Sequence, residues 1–287
     1  MTTPAPASLS WRRYLTWNTD HKVIGVQYLV TTFLFFLIGG ALAMVIRAEL
    51  FQPGPDLVDG AQFSRLFTNH GSVMLFLWII PVLAGLGNYV LPLMIGAADM
   101  AFPRLNALSF WLIPPGGLLM LASFFVGASE SGWTAYVPLS IRGPDGQTLW
   151  ALSVLVLGVS SILGGINFVT TTLTMRVKGM GLWDLPLFVW SMLATSLLIL
   201  TATPVLSAGL VLVALDRLAG TLFFAVEAGG NPVLWQNIFW FYSHPAVYSW
   251  CCRPWAPSPR SSRSSPASRS SATRPSPFRA WPSACSG

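Results

Sequence analysis

Apolar residues run through this chain in long blocks broken by short clusters of charge. They do not alternate with polar residues. Five uncharged stretches lie between Lys22 and Arg47, Arg65 and Asp99, Arg104 and Glu130, Asp145 and Arg176, and Asp184 and Asp216. Each is longer than the roughly 20 apolar residues a helix needs to cross a bilayer. A sixth stretch begins near Val233 and changes character after Tyr248. The pattern predicts helices over 23–46, 71–95, 107–127, 149–173, 186–214 and 233–248. Pro81, Pro114, Pro115 and Pro204 fall inside these spans, where neighbouring helices can satisfy the freed backbone groups. The expected fold is an all-α polytopic membrane protein. It divides into an N-terminal segment 1–22, a transmembrane helical bundle 23–248 and a tail 249–287.

Composition agrees with the pattern. Of the 287 residues, 53% are hydrophobic and 9% charged, against about 25% charged in soluble domains. The net charge of +6 invites a nucleic-acid partner until the charges are located. Residues 1–248 hold ten Lys/Arg and ten Asp/Glu, so the whole excess is the six Arg of the tail. No nucleic-acid partner is expected, and the lipid bilayer is. The tail also carries twelve Ser, seven Pro and all three Cys, a composition that predicts disorder. The opening MTTPAPASLSWRRYL lacks the basic-then-apolar layout of a cleavable signal peptide.

Loop charge sets the expected orientation. The N-terminal segment and the second and fourth loops carry Arg12, Arg13, Lys22, Arg104, Arg176 and Lys178. The other three loops carry Arg47, Arg65, Arg142 and Arg217. The bias places the N-terminus on the cytoplasmic side of a cell (inner) membrane.

Only three His occur. His21, beside Asp20 and Lys22, reads as a solvated interfacial residue. His70 opens the second predicted span, followed by the small Gly71 and Ser72. Spacing leaves it either a haem ligand approached by a flat group or a polar helix-start residue. His244 and Tyr248 are four apart and share one helical face. Ionisable residues inside a span are costly and point to function. Imidazole suits copper or iron, and a phenol beside it can give up a proton or an electron; an interhelical hydrogen bond is the alternative. The pairs Gly39–Gly40, Gly116–Gly117 and Gly164–Gly165 suit close helix packing better than phosphate binding.

Longer motifs carry a resemblance. TDHKVIGVQYL, RAELFQPG, NHGSVMLFLWIIPVLAGLGNYVLPLMIGAADMAFPRLNALSFWL, GWTAYVPL, SSILGGINFVTTTLTMR, PLFVWSMLATSLLILTATPVLSAGLVLVALDR and FWFYSHPAVY occur in that order from about Trp17 to Tyr248. The chain resembles subunit I of the haem–copper terminal oxidases, the cytochrome c oxidase type. The resemblance implies the first half of a twelve-helix core, working with other oxidase subunits. It implies reduction of O2 to water with electrons from cytochrome c, coupled to proton translocation. By position, His70 resembles an axial ligand of the low-spin haem, and Arg47 and Trp133 resemble residues lining that haem. His244 resembles one of three copper-ligating His, with Trp240 packed beside the copper. Tyr248 resembles the catalytic tyrosine joined to that ligand. Asp99, Asn88, Asn106, Ser160, Ser161 and Asn167 resemble the proton-uptake channel. Many members end that channel at a Glu where this chain has Ala246, and a YSHP-type subgroup uses the pair matched by Tyr242 and Ser243.

No His follows His244, so the full set of low-spin haem, oxygen-reducing haem and copper is not expected to be retained by this chain. A one-base slip near codon 249 would explain this. Regrouping possible codons for Trp250–Pro257 can yield the apolar Met-Val-Leu-Pro-Ala-Met-Gly-Ala. The alternative to an active subunit is therefore a catalytically inactive membrane fragment. Genomic sequencing across codons 245–260 decides the point.

Overall fold

The computed structural model describes residues 11–54 and 57–252. The tail predicted to be disordered lies outside the described residues, apart from the helical backbone up to Cys252. Nine α-helices occur among the described residues and no strand. They are α1 (His21–Glu49), α2 (Gly60–Ser72), α3 (Ile80–Ile95), α4 (Pro103–Trp111), α5 (Ile113–Ala122), α6 (Leu139–Arg142), α7 (Gly146–Thr174), α8 (Leu187–Leu218) and α9 (Pro232–Cys252). A π-helical turn, Val73–Ile79, joins α2 to α3. Five helical spans are long and apolar enough to cross a membrane: His21–Glu49, Gly60–Ile95, Pro103–Val126, Gly146–Thr174 and Leu187–Leu218. The chain is thus an all-α polytopic membrane protein. The sixth predicted span is a 21-residue helix, α9, running past the expected end at 248, and it is not among those five.

The second span departs most from expectation. It starts at Gly60, not 71, because Asp59 and Gln62 form a reciprocal cap. The Asp59 carboxylate accepts from the Gln62 amide at 2.7 Å, and the Gln62 side chain accepts from the Asp59 amide at 3.1 Å. The first turns of α2 are polar, so hydropathy alone does not register them. His70 consequently sits deep in a continuous helix and does not open one. The widened turn after it has a cause in Pro81, which has no N–H for the carbonyl four residues back. The Ile80 amide instead reaches five residues back, to the Leu75 carbonyl. Pro114 and Pro115 similarly divide the third span into α4 and α5.

Neighbours in sequence are mostly neighbours in space. α1 packs on α3, α5 on α7, α7 on α8, and α8 on α9. Glycines set several of these distances. A Cβ on Gly85 would stand 2.6 Å from Tyr28 Cβ, and one on Gly209 would stand 2.5 Å from Ile238 Cγ2. Of the paired glycines, Gly39, Gly116, Gly117 and Gly165 lie against a neighbouring helix, whereas Gly40 and Gly164 face open space. Gly117 is the tightest, since an added Cβ would fall 2.0 Å from Phe35 Cζ. Gly117→Ala is expected to destabilise the bundle by about 1–3 kcal/mol through overpacking, measured by detergent unfolding. An unchanged midpoint would mean that Phe35 swings away freely.

Two charges at the end of α8 fasten the loops on that side. Arg217 donates to the carbonyls of Ser140, Ile141, Gly143 and Pro144 and to Thr148 Oγ1, at 2.7–3.1 Å. Asp216 accepts from the Thr221 hydroxyl and from the amides of Phe223 and Phe224. Across the same side, exposed Arg142 and Glu227 pair at 3.0 Å. The Glu227 carboxyl is held below its usual range, first by its own backbone hydrogen bond and then by Arg142.

Candidate haem-ligand and proton-path site

His70 is half-buried near the C-terminal end of α2, and its Nδ1 lies 2.9 Å from the Gly39 carbonyl oxygen. A carbonyl can only accept, so Nδ1 carries the proton. In the neutral ring Nε2 therefore keeps its lone pair, the state an iron ligand requires. This contact depends on close approach of α1, since a Cβ on Gly39 would stand 2.7 Å from Met74 Sδ.

The loop 127–138 is tied to α2 on the same side. Thr68 Oγ1 accepts from the Gly132 amide at 2.9 Å, and Asn69 Nδ2 donates to the Ser129 carbonyl at 3.2 Å. Ser72 Oγ accepts from Trp150 Nε1 at 2.7 Å and donates to the Thr68 carbonyl. The loop thereby sets Trp133 beside Gly71, where a Cβ would be 3.6 Å from the indole. Trp133 meets Phe239 and Trp240 of α9 edge to face, at 5.4 and 6.1 Å between ring centroids. Trp240 Nε1 donates to the Tyr136 hydroxyl. Trp133 therefore lies next to the residue after His70, while Arg47 is exposed in the last turn of α1. Thr68, Asn69 and Trp150 were missed by sequence reasoning; the run of polar residues before an apolar span was the available signal.

His244 and Tyr248 meet as their spacing predicts, with Nε2 and the phenol oxygen 3.2 Å apart and the rings 4.9 Å apart. Both stand on the exposed side of α9, whereas Tyr242, Ser243 and Ala246 are buried. Among the described residues no three His, Cys, Asp or Glu side chains come together as a metal-ligand set.

Of the residues expected from the sequence to form a proton path, Asn88, Asn106, Ser160 and Asn167 are buried. Asp99 is partly exposed in the loop between α3 and α4 and accepts from the Met100 amide at 2.7 Å. Asn167 holds that loop by accepting from the Phe102 amide and donating to its carbonyl. Asn106 is fully buried with neither amide atom paired among the described residues, and Asn88 Oδ1 is likewise unpaired. Buried unpaired amides of this kind are where ordered water binds. Above them, Ser109 Oγ donates to the Asn106 carbonyl and meets the Tyr28 hydroxyl at 3.0 Å, and Ser160 Oγ donates to the Ser109 carbonyl at 2.6 Å. Tyr28, Ser160, Ser161 and Gly164 line a cavity of ≈30 Å³ between these helices. Ser161 Oγ donates to the carbonyl of Leu157. Tyr28 and Ser109 were also missed from the sequence.

His21 corrects an expectation. It is not solvated but 3% exposed, with Nδ1 2.9 Å from the Asn88 carbonyl. The burial arises because α1 starts at His21 under the cap of Asp20 and packs on α3.

Residues 23–255 match the family described as "Cytochrome C and Quinol oxidase polypeptide I". The chain is 59% identical over 239 residues to "Cytochrome c oxidase subunit 1" of Synechocystis sp., covering 83% of this chain and 43% of that protein. It is 54% identical over 245 residues to the protein of that name from Thermostichus vulcanus, covering 85% and 44%. It is 45% identical over 246 residues to that of Corynebacterium efficiens, covering 84% and 42%. The chain therefore spans less than half the length of these curated relatives. With a match over most of its length and these identities, the chain belongs to the cytochrome c and quinol oxidase polypeptide I family.

Proposed function

We propose that this chain supplies the amino-terminal part of the catalytic subunit of a respiratory cytochrome c oxidase. The proposed reaction combines O2 with four electrons and four protons to give two waters, coupled to proton translocation. Cytochrome c is the donor, and other oxidase subunits are partners. The location is the cell (inner) membrane, with the N-terminus cytoplasmic. Bound haems and copper would supply the electron transfer and oxygen chemistry.

The chain's own residues have these proposed roles. His70 offers Nε2 to the low-spin haem iron, with Trp133 and Arg47 lining that haem. His244 offers a ring nitrogen to copper, and Tyr248 stands one turn away with its phenol against the same ring. Asp99, Asn88, Asn106, Asn167, Ser160 and Ser161 conduct protons inward toward Tyr242 and Ser243. The observation that carries the reading is the His70 Nδ1 contact with the Gly39 carbonyl at 2.9 Å. It fixes the tautomer and the ring plane, as an outer partner of a metal-binding His does.

The test is a haem titration of the purified chain in nanodiscs, followed optically. One haem with a single-His spectrum is expected. No binding would overturn the ligand assignment, and a six-coordinate bis-His spectrum would require a second ligand that the reading does not supply. A second reading, of a chain that does not turn over by itself, is favoured by the count of three His in all. One imidazole cannot supply three copper ligands. Elemental analysis is expected to find no stoichiometric copper on the chain alone, and about one copper per chain would sink that expectation.

A further inference from the structure

A second, smaller cavity lies next to the one between Tyr28 and Ser161. It measures ≈10 Å³ and is lined by Gly158 and Ser161 of α7, Thr203 and Ser207 of α8, and Tyr242 of α9. The two cavities share Ser161, Leu157, Phe76 and Ile80 in their walls. A volume of this order accommodates about one water, provided polar partners face it.

The partners are present. Thr203 Oγ1, on a residue 1% exposed, has no hydrogen-bond partner among the described residues, and buried Ser207 Oγ has none either. Several other hydroxyls in these helices are satisfied locally. Ser161, Ser196 and Thr201 donate to carbonyls of their own helix, one turn back. Thr203 and Ser207, themselves one turn apart on α8, do not. Both lie over Gly158, where an added Cβ would stand 3.1 Å from Ser207 Oγ and 3.5 Å from Thr203 Cγ2. Ser243, beside Tyr242 on α9, also carries a buried unpaired hydroxyl. Two unpaired donors and a phenol around a water-sized space describe a hydration site.

We propose that Thr203 and Ser207 hold a water bridge that passes protons from the Ser160–Ser161 cavity to the Tyr242 phenol. Both are positioning residues: they hold water and neither gains nor loses a proton overall. The purpose of the bridge rests on the oxidase reading, whereas its existence does not. Where Ala246 offers no carboxylate, the bridge makes Tyr242 the point at which protons arrive.

The test is hydrogen–deuterium exchange at the Tyr242 hydroxyl of the full 287-residue chain in phosphatidylcholine nanodiscs. A D2O jump is followed by infrared spectroscopy, with Tyr242→Phe as the difference reference. Exchange should slow at least about tenfold in the Thr203→Val/Ser207→Ala double variant, since proton transfer needs a partner within reach of one water. Gly158→Val, which fills the cavity and removes no hydroxyl, should slow it similarly. Thr203→Ser should restore the parent rate, and exchange at Tyr28, read against Tyr28→Phe, should not change. A rate at Tyr242 within twofold of the parent in the double variant overturns the bridge, as does equal slowing at Tyr28. If the double variant loses helicity, Thr203→Val alone decides by the same twofold limit. Loss of haem binding with this exchange pattern intact would reject the oxidase reading and leave the bridge standing.

Discussion

His70→Ala is expected to abolish haem binding by this chain. Among the described His side chains, His70 alone combines half-burial, a carbonyl partner on Nδ1 and an adjacent glycine that leaves room beside an indole. Removing the imidazole would take away the nitrogen proposed to ligate the iron. Gly39→Val separates ligand from positioning. It leaves the His70 side chain intact but drives a branched side chain against Met74, 2.7 Å from where its Cβ would stand. The shifted carbonyl no longer fixes the ring, and loss of such an outer partner typically weakens metal affinity about 10–100-fold. Titration of both variants checks the pair of expectations. Haem bound by His70→Ala with parental affinity would move the ligand elsewhere. Parental affinity in Gly39→Val would remove the positioning role from the carbonyl.

Arg217→Met, in the last turn of α8, should destabilise the bundle strongly. The guanidinium bonds four carbonyls and one hydroxyl, drawn from the segment 140–148, to the end of α8. Hydrogen bonds to a charged group contribute about 1.5–3 kcal/mol each when measured singly, but six that share one guanidinium do not add. An overall loss of about 2–3 kcal/mol is expected, since Arg217 is half-buried and its removal leaves neutral carbonyls, not a stranded charge. Lysine has three donors and no planar fork, so Arg217→Lys should recover only part of it. Detergent-unfolding midpoints and proteolysis of the loop containing Ser140 and Gly143 report both. A midpoint for Arg217→Met equal to the parent's would show that the segment holds its place without this latch.

Some of this was legible from the sequence, and the reasons differ residue by residue. The spans could be placed because uncharged length is what a bilayer demands of a helix. Extension of the second span to Gly60 was missed although Asp59 and Gln62 carry a capping pattern, since hydropathy is blind to a polar turn. His244 and Tyr248 were paired correctly, because an i,i+4 contact is local. His21 was misread because its partner, the Asn88 carbonyl, lies 67 residues away. Arg217 looked like one more loop charge, and nothing in its neighbours announces four carbonyls from another segment. Thr203 and Ser207 looked like any hydroxyls in an apolar helix. Only the packing of α7 and α9 around them leaves those oxygens unpaired.

The sequence by itself determined that this chain carries membrane-length helices, and the approximate place of five of them. In lipid every backbone N–H and C=O must find a partner within its own segment, so one-dimensional hydropathy and caps carry that information. Tertiary structure alone decided which carbonyl holds His70, which loop delivers Trp133, and which hydroxyls face water-sized space beside Tyr242. Those are contacts between helices, and they depend on how closely glycine faces such as Gly39, Gly85 and Gly158 let neighbouring helices approach.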